Sequence, residues 1–325
     1  MKLPEYGVFS PTTLMIFSSV TGEPAMNLLK RALILFDKLV FFPVGLGDIT
    51  QKDHFLSKEF VISRYANATR RELKYICPNI LLDRDLFQDD EKIYEEIYSN
   101  DKNDLWGGQN TDKYIKFIDD LVEKQPEEDM GMHDKWEEKK FYVANINFEF
   151  KLFKVMNKYF EQCSGFFTEL HEAAALATFG NIESNPEKTL RILTDINIFD
   201  FASLHWKDIF TLRKDQFAQD FRSFIAEWSE LYRDNPTEES FQGKISAFIE
   251  NSNYDFIEKN TPKISRTILS GIASNIPLPL PVNPIGILNA LKTTKDEIEL
   301  KNKFGWLFFI QRARGKMSNN ALQGT

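Results

Sequence analysis

At 325 residues, with 42% apolar side chains and a formal net charge of −8, the chain can bury one large core or two modest ones, and it is too acidic for a surface that coats nucleic acid. Two cysteines, Cys77 and Cys163, exclude a disulfide framework and a paired-cysteine metal site, and they fit a reducing compartment. The charge is unevenly placed, with 31 Lys+Arg against 45 Asp+Glu in residues 1–262 and nine against three in residues 263–325.

Tyr6 to Ser18 reads as a strand that stays apolar on both sides of Ser10-Pro11. Met1 to Val20 holds no apolar run longer than Leu14-Met15-Ile16-Phe17, short of a signal-peptide core, so the expected location is the cytoplasm. Gly22-Glu23-Pro24 opens a helix carrying Leu28, Leu29, Ala32, Leu33 and Phe36 at helical spacing. Lys38 to Pro43 follows as a continuous apolar strand of the kind buried on both faces, and the three elements predict a βαβ unit with parallel strands. Gly45-Leu46-Gly47 comes next, without the third glycine of a dinucleotide fingerprint.

From Asp53 the pattern is helical, with Thr69-Arg70-Arg71-Glu72 as a capping box and Cys77-Pro78 as the stop. Residues 83–139 carry 19 Asp+Glu against 8 Lys+Arg, and Ile93, Tyr94, Ile97, Tyr98, then Tyr114, Ile118, Leu121 and Val122 form the thin stripes of two surface helices. Trp136 to Gln162 fits two patterns: Ile146, Phe148, Phe150 and Leu152 alternate as in a strand, while Leu152, Val155, Met156, Tyr159 and Phe160 share a helical face. A stretch this long without Gly or Pro favours a helix; as a strand, Glu149-x-Lys151 would resemble half of a metal-dependent nuclease motif, with Asp129 or Asp134 supplying the second acid.

Ser164 is the expected cap of a helix running to Gly180, and Ser184-x-Pro186 opens another. Ser203 caps a long periodic run through Trp206, Phe210, Phe217, Phe221, Phe224, Trp228 and Leu231, ended by Asn235-Pro236, and Thr237 to Asn260 adds a further helix. Thr267 to Leu291 holds no charged residue, but Pro277, Pro279, Pro281 and Pro284 rule out a simple spanning helix. Either a buried arm or a docking segment fits it. Thr294-Lys295-Asp296-Glu297 caps a last helix with Trp306, Leu307, Phe308, Phe309 and Ile310, and Gly315 to Thr325 has too little apolar content to stay ordered.

The fold expected is therefore α/β and predominantly α-helical: a globular body over 1–262 opening with one βαβ unit, then an apolar, Pro-rich segment, a basic helix and a disordered tail over 263–325. A degraded β/α barrel is the runner-up.

The phosphate-loop, H-E-x-x-H and G-x-S-x-G patterns are absent, and no cofactor is implied. Candidate groups for catalysis are Asp37, between the first helix and a buried strand, and the histidines His171 and His205. Candidate metal ligands are His171 with Glu169 and Glu172, and His205 with Asp208, each a carboxylate and imidazole within one helical turn. Each cluster is short of the three protein ligands of a catalytic site, and residues flanking a helix cap are commonly polar. His54 and His133 fall in caps or loops.

Lys301, Lys303, Arg312, Arg314 and Lys316, interleaved with Trp306 and three phenylalanines, form a cationic amphipathic end. The leading functional expectation is a cytoplasmic, non-enzymatic interaction or effector protein whose 267–316 segment contacts a protein partner, a second copy or a membrane surface; nucleic acid is disfavoured. The alternative is a hydrolase, metal-dependent or acting on nucleic acid, with a site that spacing does not reveal. The blocks Arg31 to Lys38 and Trp206 to Arg213 resemble short blocks of bacterial proteins without an assigned reaction, a likeness that implies no site residue.

Overall fold

The computed structural model describes residues 3–42, 57–87, 91–98, 108–124, 135–165, 168–180, 186–195, 200–234, 238–260 and 294–323. The chain forms two compact units, Pro4–Glu187 and Lys188–Thr325 together with Met1–Leu3, whereas the change in charge falls at 262/263.

The first unit is built on β1 (Tyr6–Phe9), α1 (Pro11–Thr21), α2 (Ala25–Leu35) and β2 (Lys38–Phe41), and β1 and β2 pair in parallel, as the βαβ reading requires. β1 is shorter than expected. Pro11 sits at the first helical position behind the cap residue Ser10, where its missing N–H and fixed φ favour a helix, so the apolar run after it winds up instead of extending. After α3 (Lys58–Tyr65) and α4 (Arg70–Ile76), the latter with the expected Thr69/Glu72 capping box, come β3 (Ile80–Leu82), α5 (Asp83–Phe87), α6 (Glu91–Tyr98), α7 (Gly108–Lys124), α8 (Lys135–Tyr159), β4 (Cys163–Gly165) and α9 (Glu169–Phe179). The sheet is wholly parallel in the order β3-β2-β1-β4, an open arrangement that sets aside the barrel. Strands β3 and β4 escape the sequence reading because three residues are too few to show a period. Ser164 accordingly lies in β4, and Thr168 caps α9.

Helix α8 is the spine of this unit. Phe148, Leu152, Val155 and Met156 pack with Val8, Val40, Phe42, Ile93 and Ile97, while Tyr142, Ile146 and Phe150 pack with Ile16, Tyr114, Ile118, Val122 and Leu170. Residues two apart on a helix point to nearly opposite sides, so a helix buried on both sides shows the alternation of a strand. The E-x-K strand reading of Glu149 and Lys151 falls with it. Helix and sheet touch closely at Gly165, where a Cβ would lie 2.2 Å from Cγ of Phe153. Gly165→Ala is expected to lower the thermal midpoint by several degrees, because the Phe153 ring or strand β4 must shift; an unchanged melting curve would mean that this packing is loose.

The second unit comprises α10 (Pro186–Asp195, whose first two residues belong to the other unit), α11 (Trp206–Arg213), α12 (Ala218–Asp234), α13 (Glu238–Asn260) and α14 (Thr294–Gln323). The long periodic run is two helices, not one, and Asp200 and His205, not Ser203, occupy the cap positions ahead of it. The break comes from Asp215, whose carboxylate accepts the Phe217 N–H at 2.9 Å and whose carbonyl accepts the Ala218 N–H at 3.0 Å, starting a new helix. On α14, Phe304 and Trp306 to Ile310 are buried. Phe309 stacks on Phe221 and Trp306 on Phe224, each with ring centroids 4.5 Å apart, and Phe217 lies 5.1 Å from Phe308. Arg312 pairs with Asp215, and Lys316 with Asp208 at 3.0 Å. The helix continues to Gln323, through residues expected to be disordered, held past Gly315 by Lys316 and by the Asp200 N–H on the Met317 sulfur. The Thr267 to Leu291 stretch lies outside the described residues, as do Gly45 to Gly47, His54, Asp129, His133 and Asp134.

Candidate functional site: a buried carboxylate where the strand order reverses

From β1 the chain moves outward through β2 to β3 and then returns to the far side of β1 for β4, so the order reverses between β1 and β4. In open parallel sheets, ligands bind outside the carboxyl ends of the strands at that point. Here β1 runs into Ser10 at the start of α1, and β4 leads to Thr168 at the start of α9.

The two junctions are joined by Glu149, from the middle of α8. Its Oε1 receives the hydroxyls of Ser10, Thr12 (2.7 Å) and Thr13. Its Oε2 lies 2.8 Å from Nε2 of His171, in the first turn of α9. Ser10, Thr13, Glu149 and His171 are each no more than 1% exposed. The Thr168 N–H points at Nδ1 of His171 at 3.1 Å, and a backbone N–H can only donate. Nδ1 is therefore an acceptor, the ring proton sits on Nε2, and that proton is donated to Glu149. Phe150 and Phe153 wall the ring, with centroids 5.4 and 5.9 Å away.

Isolating a carboxylate in a protein core costs several kcal/mol unless donors surround it. Ser10, Thr12 and Thr13 are the cap, second and third residues of an eleven-residue helix, so the carboxylate sits where the free N–H groups and the dipole of α1 favour negative charge. Burial pushes the Glu149 carboxyl up, and the hydrogen bonds from His171, Ser10 and Thr13 outweigh it, holding the group below the ordinary carboxylate range. Two lone pairs on Oε1 cannot accept three hydroxyls equally; Ser10 Oγ lies 2.6 Å from Thr12 Oγ1, so one of that pair donates to the other.

Of the sequence candidates, His171 belongs to this cluster. Glu169 and Glu172 are half-buried on the first turn of α9, and neither holds an imidazole nitrogen, since Thr168 and Glu149 occupy both. Asp37 is exposed at the amino end of β2, the opposite edge of the sheet, where its N–H bonds the Glu5 carbonyl at 2.8 Å. His205 is exposed in the other unit, and its neighbour Asp208 is paired with Lys316. Among the described residues, no group of three or more His, Cys, Asp or Glu side chains is placed to hold a metal ion. Ser10, Thr12, Thr13 and Thr168 were not among the candidates, and Glu149 entered only as the acid of the E-x-K strand reading. Two signals were present: three hydroxyl residues in the four positions after an apolar strand, and one acid inside the apolar run 146–153.

Comparison of the chain with models of protein families, with curated proteins and with solved structures finds no match.

Proposed function

We propose that the protein is a non-enzymatic interaction protein in which the α/β unit is a scaffold, with the cytoplasm as its place of work. The observation that carries this reading is the closed cluster at the β1/β4 edge: the position where a ligand's anion would sit is filled by the chain's own Glu149, and both nitrogens of His171 are engaged internally. Among the described residues, a site of that kind presents no free acceptor or nucleophile to a substrate. The buried free thiols of Cys77 and Cys163, the latter pushed up by burial to about 12 and so inert as a nucleophile, are consistent with a reducing compartment. Among the described residues no helix is long and apolar enough to cross a membrane. Contact with a membrane or partner through 267–316 would fall to the part ahead of α14, since the apolar face of that helix is covered by its own unit.

The hydrolase alternative keeps one observation in its favour, a serine and a glutamate in contact at the ligand-binding edge of a parallel sheet. A panel of chromogenic carboxylic esters, phosphomonoesters and phosphodiesters, run on wild type and Ser10→Ala, decides between the two. The expected result is no turnover that depends on Ser10. Hydrolysis abolished in a Ser10→Ala protein that melts like wild type would overturn the non-enzymatic reading.

A further inference from the structure

Helix α4 turns one uninterrupted basic face to solvent. Residues 57–79 hold five basic residues against two acidic ones, in a body that is otherwise strongly acidic. At about 100° per residue, Arg70, Lys74, Arg71 and Tyr75 fall in that order within an arc of about 140°. All four are exposed, and Ile76 on the other side of the helix is buried. Glu72, the one acid of the helix, lies outside that arc and accepts the Thr69 N–H at 2.8 Å and the Thr69 hydroxyl at 2.7 Å. Among the described residues no carboxylate pairs with Arg70, Arg71 or Lys74. Lys58, on α3, does not add to this face, since its ammonium donates to the Cys77 and Ile80 carbonyls at 3.0 and 2.9 Å.

Three cations on one side of a helix, with no acid among them, fit a ligand that is itself a row of anions. Tyr75 is 41% exposed and lies one helical turn from Arg71. A flat ring beside a guanidinium is an arrangement on which a nucleic acid base stacks while its phosphate takes the cation. The face carries no aliphatic side chain that could enter a bilayer, and a planar membrane would bring the acidic body against anionic head groups as well. A single strand is narrow enough to lie along one helix. An acidic protein segment would satisfy the cations and leave the ring without a base. The net charge of −8 opposes a surface that coats nucleic acid, but charges more than about 8 Å away are largely screened at physiological ionic strength, so the local face decides.

We infer that the exposed face of α4 binds a single-stranded nucleic acid, with Arg70, Arg71 and Lys74 on its phosphates and the Tyr75 ring stacked on a base. The inference rests on the interaction reading above and names a partner for the α/β unit. Phosphate contacts and one stacked ring carry no base identity, so the face accepts RNA or DNA of any sequence.

Fluorescence anisotropy of labelled oligouridine and oligothymidine of about 12 nucleotides, titrated with the full chain, tests this. Both should bind, and the logarithm of the association constant should fall with the logarithm of salt concentration at a slope of about −2, three phosphates at about 0.7 each. Arg70→Ala/Arg71→Ala should reduce that slope to about −0.7. Tyr75→Ala should weaken binding about tenfold and leave the slope unchanged, and Tyr75→Phe, which keeps the ring, should bind like wild type. All of these variants change exposed positions and should melt like wild type. Absence of binding at about 20 mM salt with about 100 μM protein overturns the inference. So does a double-arginine or Tyr75→Ala variant that binds as wild type does, or polyglutamate that competes as well as unlabelled oligonucleotide, which would make the partner an acidic protein segment. Phosphatidylserine vesicles bound where the oligonucleotides are not would make it a membrane and overturn the inference too. The titration does not involve Ser10 and the hydrolysis panel does not involve α4, so the two readings fail separately.

Discussion

Glu149→Ala is expected to lower the free energy of unfolding by about 3–5 kcal/mol, the range for removing one partner of a buried, hydrogen-bonded charged group. The substitution strips the shared acceptor from a cluster of three hydroxyls and one imidazole N–H in the buried core. Ser10 and Thr12 already touch and can bond each other, which moderates the loss; the His171 Nε2–H loses the acceptor that stood 2.8 Å away. Glu149→Gln keeps the volume, but its amide must turn an NH2 either towards the hydroxyls or towards that N–H, and a loss of about 1–3 kcal/mol follows. Urea unfolding midpoints measure both. The pH dependence supplies a second check with a fixed sign. The folded carboxyl titrates below the ordinary range, so as pH falls the unfolded chain binds the proton first. The stability contributed by this group is therefore complete above the unfolded value of about 4.3 and is lost as pH falls through the folded value. Wild type should lose more of its thermal midpoint between about pH 5 and pH 3 than Glu149→Gln does. Equal slopes would mean that Glu149 is protonated in the folded protein at neutral pH, and that the cluster is held by neutral hydrogen bonds.

The same residues show where a sequence stops being legible. The β1-helix-β2 core could be read because strand β2 is a continuous apolar run and helix α2 has one buried face, so period and burial agree. Capping boxes such as Thr69/Glu72 could be read because their partners are three residues apart. The Glu149 cluster could not, since its hydrogen bonds join residues 22 and 136–139 positions apart and depend on the return of the chain to the far side of β1. His171 became a candidate through its acidic neighbours Glu169 and Glu172, while its actual partners are Thr168 and Glu149. The break between α11 and α12 is a middle case. Asp215 is a good cap residue, yet the three- and four-residue apolar steps run on across it, because both helices bury aromatic side chains.

Truncation before Lys263 is expected to unfold the second unit, and it distinguishes a core arm from a docking segment. The cut removes Trp306 and Phe309, which stack on Phe224 and Phe221, together with Phe308 against Phe217. It also removes Arg312 and Lys316, which neutralise Asp215 and Asp208. Helix α12 would then expose a row of large aromatic side chains that no other described element covers in the same way, so the remainder should aggregate or bind a hydrophobic dye with a broad, weakly cooperative melt. A milder substitution calibrates this. Phe309→Ala empties one packed aromatic site and should cost about 3–5 kcal/mol, a range that assumes the cavity stays open because Phe221 is also held by Phe201 and Phe224. Phe221→Ala should cost a similar amount, and the double variant should cost less than the sum by about 0.5–1.5 kcal/mol, the coupling expected of a stacked pair. If the truncated chain instead stays soluble and unfolds cooperatively at the wild-type midpoint, α14 contributes nothing to the stability of its unit, and the apolar helix is a docking element after all.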